Sequence, residues 1–279
     1  MALRSPIYLD AETLFAQAQY HDIEVPQQAD IVERTLRKRT GGGRVAFAGV
    51  GVDASRGTDV EFQSSYTLEP RQKASVSKTI DALIAAGAVQ TQVSADTVLT
   101  KDAMVEVEGI TQMTSASLVG KLFFMMRRLL ADGDGNLDEV LALPADAPQV
   151  LEQMKRIYLQ NELLPLPILL KMNGTGLEVD AYVNVRPAHF IDSASINRIE
   201  GDVRVLATVT RLVSGGKDGY FSTEEWLLHD WEYLLRRLAM TRMDELEGIF
   251  DGLNLGLPTA DVHQFISGPA VVLDAIAVY

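Results

Sequence analysis

Two pairs of carboxylates are the residues in this chain best placed to do chemistry. Glu106 and Glu108 stand two apart in sequence, as do Glu178 and Asp180. Within a strand that spacing puts both side chains on one face. A shared face would let a pair hold a divalent cation or divide the work of acid and base. The same pattern is what the solvent side of any half-buried strand presents, and that plainer reading is preferred.

The remaining motifs are incomplete. The four histidines, His21, His189, His229 and His263, include no His-x-x-x-His pair, and none adjoins a serine in a nucleophile-elbow pattern. His229 precedes Asp230, but neighbours along a helix do not face each other. Gly49-Val50-Gly51-Val52-Asp53-Ala54 has the look of a dinucleotide-binding turn, yet Ser55-Arg56-Gly57-Thr58-Asp59 follows where an apolar helix should begin. Asp132-Gly133-Asp134-Gly135-Asn136 opens like a calcium loop. Leu137 then replaces the required glycine, and Leu143 the bidentate glutamate. The chain has no cysteine, which removes disulfides, thiolate catalysis, zinc fingers and iron–sulfur clusters. No catalytic, cofactor-binding or metal residue is assigned, and no cofactor is expected.

Charge speaks to partners. The formal net charge is −13, from 25 Lys and Arg against 38 Asp and Glu. Nucleic-acid affinity rests on neutralising phosphates, so this balance disfavours it. The only dense basic run, Arg34-Thr35-Leu36-Arg37-Lys38-Arg39, reads as a helix end stopped by Thr40-Gly41-Gly42-Gly43. The helix and turn over residues 76–89 resemble half of a winged helix but carry little basic surface. Residues 116–130 are the most lipid-like run. They are too short for a span and are broken by Lys121, Arg127 and Arg128, so no membrane partner is expected. Trp226, Leu227, Trp231, Tyr233, Leu234 and Leu238 mark an aromatic helix, read as core, with a partner-binding face as the alternative. The start MALRSPIYLD lacks a secretory pattern, and with cysteine absent the expected compartment is the cytoplasm.

These residues must be positioned by a mixed set of elements. Ile7-Tyr8-Leu9 reads as a strand, with Asp10 capping a helix to about Tyr20. Helices are expected near 29–39, 70–87, 115–130, 148–164, 222–239 and 243–250. The second carries the clearest stripe, Val76, Ile80, Leu83 and Ile84, and Gly87 ends it. The fifth opens with a capping box at Ser222 and Glu225. Strands are expected at 98–110 and 203–213. Pro167 to Met172 and Leu177 to Val185 form a hairpin around Asn173-Gly174-Thr175-Gly176. The apolar tail 265–279 reads as a buried strand or hairpin. The glycine-rich stretch 41–57 is expected to be a mobile loop, with a loop flanking a short strand at Val45 to Ala48 as the alternative.

Four segments together resemble a family of bacterial proteins of unknown function. They are Pro6 to Asp10 with its helix, Met104 to Gly109, Val203 to Val209, and Ile266 to Tyr279. The resemblance spans nearly the whole chain. It implies a bacterial intracellular protein and brings no activity with it.

The expected fold is α+β, with mixed or antiparallel sheets and flanking helices. Two lobes, 1–140 and 147–279, or a single domain would suit the length of 279 residues. The expected function is non-catalytic binding or regulation, with a protein partner or self-association. The alternatives are a metal-dependent or hydrolytic enzyme using the strand carboxylates, and a nucleic-acid-binding regulator.

Overall fold

A computed structural model describes residues 4–25, 31, 68–114, 116–117, 167–191, 198–216, 219–222 and 265–279. The expected helices near 29–39, 148–164, 222–239 and 243–250 lie outside these residues, except that Ile31 is described and helical and Ser222 is described and ends a strand. Also outside them lie the loop 41–57, the calcium-like turn and the junction between the two expected lobes, 1–140 and 147–279. Of the helix expected at 115–130, Ala116 and Ser117 are described and are helical.

Local signals set the first elements. After strand β1 (Tyr8–Leu9), Asp10 caps helix α1 (Ala11–Tyr20) by accepting from the Thr13 amide at 3.1 Å and the Thr13 hydroxyl at 2.8 Å. Helix α2 (Pro70–Ala85) starts with proline in its first turn. There Gln72 reaches back to the Glu69 amide at 3.0 Å. Its stripe buries Val76, Ile80 and Leu83, and Gly87 takes the left-handed conformation, φ +72°, that ends it.

Strand β2 (Val89–Gln90) follows, then β3 (Met104–Met113), β4 (Ile168–Asn173), β5 (Asp180–Val185), β6 (Gly201–Val213), β7 (Tyr220–Ser222), β8 (Phe265–Ser267) and β9 (Ala270–Val278). Strand β3 begins later than the sequence pattern predicts. Residues 100–103 form a turn in which Asp102 takes φ 67°. The hairpin β4–β5 forms as expected, with Gly174 and Gly176 at φ +75° and +80°. Of the two alternatives for the tail, the buried strand forms: β9 joins the main sheet, while β8 pairs with β7.

That sheet closes on itself. β3 pairs antiparallel with β4, β4 with β5, β5 runs parallel to β9, β9 pairs antiparallel with β6, and β6 returns to β3. The result is a five-stranded barrel of mixed strand direction, to which β1 and β2 add at β9 and β3. Strands from both halves of the chain share it. Alternate residues fill the interior, among them Val107, Leu170, Val183, Val205 and Leu273. Two layers cover part of the outside. Helices α1 and α2 pack Phe15, Val76 and Ile80 over Met104, Leu206 and Ala277. The β7–β8 ribbon lays Phe221 and Ile266 over Leu169, Tyr182 and Val272. The fold therefore mixes α and β, as expected, but the sheet dominates the described residues.

Candidate binding groove

The outer face of β3 and β6, which no described layer covers at this end, holds a groove of about 600 Å³. Its floor is Glu106, Glu108 and Ile110 of β3 with Asp202 and Arg204 of β6. One wall is the chain leaving β2, at Thr91 and Val93, and the other is the β4–β5 turn from Asn173 to Gly176. The period of two in β3 puts Val105 and Val107 in the barrel and the two glutamates outside. Ile110, which shares their face, is 59% exposed.

Each glutamate already has partners. Glu108 lies opposite Arg204 in the β3–β6 register. Its Oε2 accepts from Arg204 Nε at 3.0 Å and also from Nη2. That hydrogen bond raises the Arg204 pKa above its ordinary value. Glu106 is more enclosed. Its Oε1 accepts the Tyr279 hydroxyl and lies 3.5 Å from Arg4 Nη2. Arg4 also pairs with Asp81 of α2 and stacks over the Tyr279 ring, 5.3 Å from its centroid.

The second pair of carboxylates lies elsewhere. Glu178 is exposed in the β4–β5 turn, and Asp180 pairs with Lys171 at 3.6 Å. The structure therefore brings the two glutamates of β3 together with Arg204 but does not bring the two pairs together. Among the described residues, no three His, Asp or Glu side chains group as a metal site. His21 closes α1. His189 is buried, with Nε2 3.8 Å from Asp10 Oδ2 and its ring edge-on to Tyr8. His229 and His263 lie outside the described residues. Sequence reasoning missed Arg4, Asp81, Asp202, Arg204 and Tyr279. Of these only Arg204, alternating within an apolar strand, carried a local signal.

Burial above all, and then the hydrogen bond to Glu106, pushes the Tyr279 phenol above its ordinary value of 10.0. A raised acid in the folded state gives stability that is complete below the unfolded value and is lost as pH rises towards the folded one. Unfolding free energy should therefore fall above about pH 10. In Tyr279→Phe the fall should be shallower by about 1.4 kcal/mol per pH unit. Urea titrations at several alkaline pH values measure this, and an unchanged slope would mean that the phenol ionises as freely as in the unfolded chain.

No family model, curated protein or solved structure matches the chain. No described helix is long and apolar enough to cross a membrane.

Proposed function

We propose that the chain is a non-catalytic binding protein that takes its ligand in the groove over β3. The observation that carries this reading is the pairing of the groove's glutamates. Glu108 is held by Arg204, and Glu106 by Tyr279 and Arg4. A general base needs a carboxylate free to reach substrate. These two instead build a fixed polar floor beneath an open space, which suits recognition. Membership of the bacterial family that the four segments resemble, and a cytoplasmic home, belong to the same proposal.

The test is a thermal-shift screen against metals, nucleotides, short nucleic acids and peptides. A ligand at a hundredfold excess over its Kd adds about 2.7 kcal/mol to the folded state. The class that raises the melting temperature of the wild-type chain should fail to do so for Thr175→Trp, which fills the groove. A shift retained by that variant places the site elsewhere, and conversion of the ligand to product would show an enzyme.

Strand order favours a second reading. A five-stranded mixed barrel is the architecture of OB folds, which bind oligonucleotides over their second and third strands. In this chain those strands are β4 and β5, and the β7–β8 ribbon covers their outer Leu169 and Tyr182. The aromatic ring that would stack a base is thus inside a core, and the net charge of −13 repels phosphate. Fold-level likeness alone does not outweigh these two facts.

A further inference from the structure

Strand β3 has two edges, and one of them is incomplete. Its β6 edge is paired from Met104 to Thr111. On the other edge β2 covers Met104 and Val105, and β4 covers Ile110 to Met113. No described strand pairs with Glu106 to Gly109 on that side.

The register shows which main-chain groups face the gap. Arg204 donates its N–H to the Tyr279 carbonyl at 2.9 Å and accepts from the Tyr279 N–H at 3.0 Å. Both of its main-chain groups therefore point away from β3. Glu108 is its opposite residue, and in an antiparallel ladder such a non-bonded pair turns outward on both strands. The N–H and C=O of Glu108 thus face the uncovered edge, along the groove floor. The walls converge beside them: a Cβ placed on Gly176 would stand 3.1 Å from the Val93 carbonyl. A gap of four residues corresponds to roughly 13 Å of extended chain. Among the described residues the lining carries Glu106, Glu108 and Asp202 against Arg204, with Arg4 reaching Glu106 from behind the floor.

Building on the reading of this groove as the binding site, we propose that its ligand is a short, extended, basic peptide segment. Its main chain pairs with Glu108 in the manner of an added strand, and a Lys or Arg side chain meets the carboxylates. Main-chain pairing supplies affinity, and the excess of negative charge selects the partner. The shortness of the gap and the charges on it also keep a second copy of the chain from pairing there edge to edge.

The probe is a fluorescein-labelled tetrapeptide of two Val-Lys repeats, matched to the four-residue gap, with two Val-Glu repeats as its counterpart. Fluorescence anisotropy with the full chain should show the basic peptide binding at least about tenfold more tightly. The decisive variants are Glu108→Ala and Glu108→Pro. Both lose the carboxylate, but only proline also removes the outward N–H, and it breaks no bond to β6. Proline should weaken binding at least about tenfold relative to alanine, the scale of one lost hydrogen bond. Should Glu108→Pro not fold, the comparison is made on the wild-type chain with the probe N-methylated at each position in turn. Loss at alternate positions supports strand addition, and uniform tolerance overturns it. Equal binding by the two variants, no preference for the basic peptide, or no binding of it also overturns the proposal. In those cases the reading of the groove stands if another ligand class gives a thermal shift that Thr175→Trp abolishes, and it falls if none does.

Discussion

Gly109→Val is expected to destabilise the folded chain by about 3 kcal/mol, the upper range for overpacking a filled interior. Gly109 sits where β3 passes from pairing with β6 alone to pairing with β4 as well. A Cβ at this position would penetrate the Asn173 carbonyl of β4 and stand 3.2 Å from Met172 Cγ. A backbone atom cannot rotate out of the way as a side-chain end can. β4 must therefore lift from β3, and the pairs Ile110 with Asn173 and Thr111 with Met172 loosen first. The same displacement moves the groove wall, so ligand binding should weaken together with stability. Gly174→Ala is the control. Gly174 has φ +75° but nothing within 4 Å of an added Cβ, so only backbone strain of about 1 kcal/mol is expected. Urea unfolding of both variants, with amide exchange along β4, measures the difference. Equal costs would show that backbone conformation matters more than the close approach of the two strands.

The contrast between these two glycines also marks what sequence can reveal. Gly174 was legible because Asn173-Gly174 between β-rich segments is a local turn signal. Gly109 was not, because its constraint comes from Asn173, distant along the chain. The same division runs through the fold. Asp10 as a helix cap, the stripe Val76, Ile80 and Leu83, and the β-rich run of residues 203–213 all depend on near neighbours, and each formed where expected, β6 starting two residues earlier. Closure of the barrel depends on β3 meeting both β4 and β6, and on β9 running parallel to β5. No local period encodes those registers. The site divides likewise. The shared face of Glu106 and Glu108 follows from a period of two. Their partners do not, since Arg204 is 96 residues from Glu108 and Tyr279 is 173 from Glu106.

Those distant partners are not energetically equal, and Arg4→Ala should show it, with an expected cost of about 3 kcal/mol. Removing one member of a buried ion pair leaves a charge without compensation, at about 3–5 kcal/mol, and partial exposure puts Arg4 at the lower end. Its side chain is 13% exposed, beside Asp81 at 16% and Glu106 at 9%. Loss of Arg4 strips both carboxylates of their shared cation and the Tyr279 ring of its stacked guanidinium. It also removes the polar tie between α2 and the barrel, because Arg4 bridges Asp81 on the helix and Glu106 on β3, and leaves the apolar packing of Val76 and Ile80 to hold the helix. Glu108→Ala removes an ion pair that is outwardly similar, but there the two side chains are 46% and 59% exposed. Solvent screening holds such a pair to about 1 kcal/mol or less. The double variant Arg4→Ala with Asp81→Asn should cost less than the sum of its parts, because neutralising Asp81 removes one of the stranded charges. Chemical denaturation of the four chains of that cycle is the measurement. If Arg4→Ala costs no more than Glu108→Ala, the inner network does not clamp α2 to the barrel, and Glu106 is then a groove carboxylate as open to ligand as Glu108.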